Sequence, residues 1–79
     1  MPMNGYGTGS IEQLYRPLGI GTIKTKDGHP KLVIFTFTAV QDGQQGFQHL
    51  LEGDQVRYRV FQEVIAEATF ASDVWKAPG

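Results

Sequence analysis

The sequence predicts an all-β domain, built as a small five-stranded antiparallel barrel. Ten glycines in 79 residues favour short strands and tight turns over long helices. Residues 55–60 alternate strictly between polar and apolar side chains, which is typical of a strand with one buried face. Five strand-like segments separated by turn signals indicate a closed barrel, because closure removes the exposed strand edges.

The first half of the chain predicts a tail and two strands. Residues 1–8 are rich in glycine and predict a flexible N-terminal tail. Residues 10–16 mix apolar and polar side chains as a half-buried strand does, and Pro17 ends this strand because it lacks an N–H donor. Residues 19–25 predict the second strand. Asp27-Gly28 follows it, and this dipeptide is a strong signal for a hairpin turn.

The remaining segments follow the same alternation of strand and turn. Residues 31–40 are rich in β-branched and aromatic side chains and predict the third strand. Residues 41–46 predict a polar glycine loop, and residues 47–54 a short helical turn before the fourth strand. That strand covers residues 55–61, and residues 71–76 predict the fifth.

These segments form one domain, residues 9–76, between tails at 1–8 and 77–79, since 79 residues are too few for a second core. Residues 62–70 fit a helical turn or a strand equally well. The apolar positions of the strands predict the buried core: Ile11, Ile23, Val33, Phe35, Val56, Tyr58, Val60 and Val74.

Composition narrows the classes of function. A net charge of −1 and a pI near 6.0 do not indicate a nucleic-acid or membrane partner. The absence of cysteine excludes a disulfide scaffold and a thiolate metal site. No apolar run is long enough to cross a bilayer, and the N-terminus lacks the features of a signal peptide, so we expect a cytoplasmic protein.

Four stretches in order resemble the bacterial cold-shock domain, a five-stranded OB-fold, over residues 9–76. They are GSIEQLYRPLGIGTI, VIFTFTAVQ, GFQHLLEGDQVRYRV and ASDVWK. Gly19 and Gly21 match glycines that in the family permit strong strand curvature and let bases lie flat on the sheet. The resemblance therefore implies an OB-type barrel that binds single-stranded RNA or DNA by stacking bases on outward-pointing aromatic rings.

Most of the family's stacking positions have lost their rings in this chain, and the first-strand lysine is replaced by Glu12. The ring positions are occupied by Gln13, Ile20, Thr22, Ile34 and Thr36. Stacking contributes about 1–3 kcal/mol per base, so the loss of four platforms lowers the affinity about a thousandfold. The resemblance thus implies weak binding of single-stranded nucleic acid through the remaining candidates, Tyr15, Arg16, Lys24, Phe37 and Phe47.

The replacements also support an alternative in which nucleic-acid binding is lost. Ile20, Thr22, Ile34 and Thr36 would form an exposed aliphatic face on neighbouring strands, and such a face more often marks a protein interface. The occupant would be a second copy of the chain or a regulatory protein partner. In a third possibility, the chain's own loops cover the two isoleucines.

Other chemistry-bearing residues do not form a recognisable site. His29 and His49 lie in separate loops without a third ligand, so we expect neither a metal nor another cofactor. The serines and threonines lack a base at an arguable position, which predicts that the protein is not an enzyme. Arg57 and Arg59 share one strand face, which either contacts a phosphate or acidic partner or is simply solvated. Trp75 is predicted to pack at the core or a sheet edge.

Overall fold

A computed structural model describes residues 5–28, 31–60 and 68–77. The elements are β1 Gly5–Tyr15, β2 Ile20–Thr25, β3 Leu32–Thr36, α1 Gly43–Gln48, β4 Gln55–Val60 and β5 Ala68–Lys76, with 3-10 turns at Arg16–Leu18 and Phe37–Ala39. The predictions for His29, for most of the ambiguous segment (residues 62–67), and for residues 1–4 and 78–79 lie outside the described residues.

The strands form a closed barrel in the order β1-β2-β3-β5-β4, with β4 pairing back onto β1. The predicted all-β, five-stranded barrel is therefore confirmed. The pairing is not antiparallel throughout, because β3 and β5 run parallel from Leu32↔Ala68 to Ile34↔Phe70. The other four pairs are antiparallel.

β1 begins earlier than the sequence predicts, at Gly5 instead of near residue 10. Residues 5–10 pair with β4 from Gly5↔Val60 to Ser10↔Gln55, and residues 9–15 pair with β2 from Gly9↔Thr25 to Tyr15↔Ile20. A register shift between Ile11 and Gln13 lies within the segment that pairs with β2. Residues 5–8 are therefore part of the barrel, and the predicted tail boundary at residue 8 is wrong.

All eight predicted core side chains are buried, with exposures of 0 to 8%. Burial raises the pKa of the Tyr58 hydroxyl, and the nearby carboxylate of Asp27 raises it further. Four further hydrophobic residues complete the core: Val40, Phe47, Leu50 and Ala71. Three of these lie between β3 and β4, so the connection between those strands supplies part of the interior.

That connection contains the helix α1, which begins in the predicted glycine loop (residues 41–46) and includes only the first two residues of the predicted helical turn (residues 47–54). Its sequence, GQQGFQ, has two glycines and begins after Asp42, whose side chain makes no capping hydrogen bond. The helix is stabilised instead by Phe47, which is fully buried and contacts Phe35 edge to face at a centroid distance of 6.2 Å. Tertiary packing here outweighs a weak intrinsic helix propensity.

Candidate functional site

The predicted aliphatic residues lie together on the outer surface of β2 and β3. Ile20 is opposite Thr36 and Thr22 is opposite Ile34, and all four side chains are half-buried while their strand neighbours point into the core. Tyr15 of β1 lies beside Ile20, and Phe70 of β5 lies beside Ile34. We call this set the sheet face: Tyr15, Ile20, Thr22, Ile34, Thr36 and Phe70.

The two aromatic members of the sheet face are its most exposed apolar side chains. Phe70 is 62% exposed and Tyr15 is 46% exposed. Ile20 and Ile34 lie between them and keep part of their surface accessible, so the described residues do not cover the isoleucines completely. An apolar surface therefore extends across four strands of the barrel.

Phe70 is a functional candidate that the sequence analysis missed. Its segment fits a helix or a strand, and the choice decides on which side the ring lies. In the structure β5 starts at Ala68, so Thr69 and Ala71 are buried and Phe70 between them points outward. Alternation read back from the buried Val74 would place Phe70 on the inner side. A register shift between β4 and β5, where Asp73 and Ala71 pair with consecutive residues of β4, reverses the phase, so the sequence pattern does not reveal the outward orientation of this ring.

Most hydroxyl groups of the sheet face form hydrogen bonds with other side chains of the protein. The Thr36 and Thr38 hydroxyls hydrogen-bond each other at 2.6 Å, and the Tyr15 hydroxyl donates to the side-chain oxygen of Gln13. The Thr22 hydroxyl is covered and has no hydrogen-bond partner within residues 5–28, 31–60 and 68–77. Recognition at this face would therefore depend mainly on apolar contact.

Two of the predicted nucleic-acid contacts have internal structural roles. Phe47 has 0% exposure and so cannot stack on a base. The Arg16 guanidinium donates to the backbone carbonyls of Phe47 and Gln48 at 3.3 and 3.4 Å, and also to that of Leu50. Both assignments are therefore corrected: the ring belongs to the core, and the guanidinium binds the carbonyls at the end of α1.

The other three predicted nucleic-acid contacts, Lys24, Phe37 and Tyr15, do not form one common surface. Lys24 is exposed on β2, in register with Ser10 and Leu32. Phe37 is partly buried, packs against the core and lies over Gly19, whose position is too close to the ring to accept a Cβ. Tyr15 alone among the five predicted contacts is an exposed ring on the sheet face.

The described residues offer no metal centre. Residues 5–28, 31–60 and 68–77 contain no group of three or more His, Cys, Asp or Glu side chains that could hold an ion. His49 is exposed, and its backbone carbonyl accepts a hydrogen bond from Lys76. In the same part of the chain, no helix combines the length and the hydropathy needed to cross a membrane.

Comparison with known proteins identifies the fold only. No family model matches the chain, and no curated protein does. The structure is similar to that of silver-bound CusF, residues 10–88, from Escherichia coli, with a TM-score of 0.61 and 15% identity over 98% of this chain and 95% of that one. It is also similar to apo-CusF, residues 6–88, with a TM-score of 0.61 and 13% identity over 99% and 92% of the two chains.

These findings show a small OB-like barrel and correct the predicted function. The similar structures are a silver-bound protein and its apo form, so the fold does not support binding of single-stranded RNA or DNA. The burial of Phe47 and the engagement of Arg16 agree with this correction. Soft ions such as Ag⁺ prefer thiolate or thioether ligands. The chain has no cysteine, and its two methionines, Met1 and Met3, lie outside the described residues.

Proposed function

We propose that this protein is a small non-enzymatic binding module whose sheet face docks an apolar surface of a protein partner. The observation that carries the proposal is Phe70, a phenylalanine that is 62% exposed near the start of β5, directly beside Ile34. Exposed apolar patches with polar surroundings are typical of protein interfaces.

The chemistry of the face supports a protein partner. Interface centres are rich in aromatic residues and poor in charge, and their binding energy is concentrated in a few large side chains. Phe70 and Tyr15 supply such anchors at two sides of the face. Ile20 and Ile34 supply aliphatic contact between them, and none of these four residues is charged.

The backbone beneath the face also favours binding. β2 and β3 pair without a register shift from Ile20↔Thr36 to Lys24↔Leu32, and their opposite sides are fixed by the buried residues Ile23, Val33 and Phe35. The four central side chains are therefore held on a rigid surface. Binding would cost little free energy for ordering this surface, because preorganisation lowers the entropic cost of association.

The test compares two exposed aromatic residues on different parts of the barrel. Phe70→Ser removes the proposed anchor, and Tyr6→Ser is the matched control, since Tyr6 is 66% exposed and lies opposite Arg59 of β4. A partner is trapped by a photo-crosslinking side chain at position 34, purified, and titrated against each variant. We expect Phe70→Ser to weaken binding about thirtyfold and Tyr6→Ser to change it less than about twofold.

Analytical ultracentrifugation of the purified chain distinguishes a second copy from another protein. Concentration-dependent dimerisation that Phe70→Ser abolishes would identify the occupant as a second copy. Equal weakening by Phe70→Ser and Tyr6→Ser, or a partner that binds the double variant Phe70→Ser/Ile34→Thr with unchanged affinity, would show that this face is not the docking surface.

A further inference from the structure

A second aromatic surface lies on the β1–β4–β5 side of the barrel, away from the sheet face. Tyr6 of β1 is opposite Arg59, and Trp75 of β5 is opposite Arg57, so both rings lie against the outer side of β4. The rings stack with their centroids 6.3 Å apart and an angle of 23° between their planes. This arrangement holds Trp75, the single tryptophan of the chain, half-exposed beside an arginine.

The charges around these rings are unequally paired. The Arg59 guanidinium lies 3.7 Å from the Asp73 carboxylate and 6.0 Å from the centre of the Tyr6 ring. The Lys76 ammonium lies 3.5 Å from the Asp54 carboxylate. Arg57 is exposed, and within the described residues its guanidinium makes neither a hydrogen bond nor an ion pair. The nearby carboxylates therefore pair with other cations and leave Arg57 available to a ligand.

An open cavity of about 400 Å³ joins these groups. It is lined by Tyr6, Gln41, Arg57, Trp75 and Lys76. Gln41 is held at the rim because its backbone N–H donates to the Val74 carbonyl at 3.1 Å. The lining thus combines two cations, two aromatic rings and one amide. Its volume lies within the range of small-molecule sites.

We propose that this cavity binds a small aromatic carboxylate. A guanidinium donates two parallel hydrogen bonds to a carboxylate, which favours Arg57 as the anion contact. The ligand's ring would lie against Trp75 and Tyr6, since aromatic rings attract one another in offset or edge-on arrangements. Arg57 is the one lining cation that pairs with none of the described residues, which suits a ligand with a single negative charge. The site shares no residue with the sheet face and does not depend on it.

The test uses 2-naphthoate as the probe and the Trp75 indole N–H as the reporter. One tryptophan gives one indole signal in a two-dimensional ¹H–¹⁵N spectrum, so the assignment is unambiguous. We expect 2-naphthoate to move this signal saturably, with a dissociation constant on the order of 1 mM or lower. Both the neutral analogue 2-naphthamide and cyclohexanecarboxylate, whose ring is saturated and not aromatic, should bind at least about tenfold more weakly.

Variants assign the binding to Arg57. Arg57→Gln should weaken 2-naphthoate binding at least about tenfold, whereas Lys24→Gln, which removes an exposed cation from β2, should leave it unchanged. The dispersion of the spectrum reports whether each variant is folded. A linear, non-saturating shift with 2-naphthoate, equal binding of 2-naphthoate and 2-naphthamide, or unaltered binding to a folded Arg57→Gln variant would each overturn the proposal.

Discussion

Gly21 and Gly19 are both required by aromatic rings of the protein itself. A Cβ on Gly21 would lie 2.4 Å from Cζ of Phe35, so the glycine makes room for a core ring. Gly19 has φ of +68° and ends the 3-10 turn after β1, and a Cβ there would lie 2.6 Å from Cδ1 of Phe37. The sequence indicates that another group approaches these glycines closely. It does not reveal that the group is a ring of the protein itself, Phe35 or Phe37, and not a nucleic-acid base.

Gly21→Ala should lower the free energy of unfolding by about 1–3 kcal/mol, because the added methyl group overpacks the core. Denaturant unfolding measures the change. Gly5→Ala is the matched strand control, since its Cβ would lie 3.3 Å from a Val60 methyl group and needs only a small adjustment. In a Phe35→Leu background the cost of Gly21→Ala should fall markedly. An identical cost in both backgrounds would show that the ring is not the obstacle.

At the scale of single elements, the strands were more predictable than the helix. Val56, Tyr58 and Val60 alternate with polar residues, and all three are buried as this pattern predicts. α1 gives no comparable signal, because its start lacks a side-chain cap and two of its six residues are glycines. Gly46 is nevertheless required there, since a Cβ would lie 1.9 Å from the Gln41 carbonyl oxygen. Such a contact exists only in the folded structure.

Arg16 connects the turn after β1 to the end of α1, where backbone carbonyls lack partners within the helix. Arg16→Lys keeps the charge but loses the planar fork that reaches several carbonyls at once. We expect it to lower the free energy of unfolding by about 1–2 kcal/mol, and Arg16→Ala to lower it further, in urea titrations.

Arg57→Lys is the control for Arg16→Lys, because Arg57 is exposed and makes no hydrogen bond to the other described residues. It should change the free energy of unfolding by less than about 0.5 kcal/mol. If Arg16→Lys and Arg57→Lys have the same effect, the guanidinium does not stabilise the end of α1.

At the scale of the whole molecule, closure of the barrel depends on the first half of β1, whose high glycine content does not indicate a strand. The glycine-rich start predicts a tail, yet Gly5, Gly7 and Gly9 are alternate residues of β1. A Cβ on Gly7 would lie 2.4 Å from the Tyr58 hydroxyl, and one on Gly9 would lie 2.3 Å from the Lys24 carbonyl oxygen. Glycine at every second position therefore marks close packing in this strand. The sheet face was partly predictable, since the resemblance to the cold-shock domain placed Ile20 and Ile34 on neighbouring strands with their side chains pointing outward.

Deletion of residues 1–8 tests this closure, with deletion of residues 1–4 as the control. The longer deletion removes the pairs from Gly5↔Val60 to Thr8↔Arg57 and leaves residues 57–60 of β4 without a partner on that side. It also uncovers Tyr58, whose ring packs against Gly7. Each lost hydrogen bond costs about 0.5–1.5 kcal/mol, so the total reaches several kcal/mol, a large part of the stability of a small domain.

We expect the longer deletion to lower the melting temperature by at least about 10 °C in thermal unfolding followed by circular dichroism, because about 1 kcal/mol shifts a domain of this size by 4–8 °C. It should also promote aggregation, since an unpaired strand is a template for pairing between chains. The shorter deletion should leave the melting temperature unchanged, because it removes none of the described pairs between β1 and β4. Equal melting temperatures for the two deletions would mean that residues 5–8 do not contribute to closure.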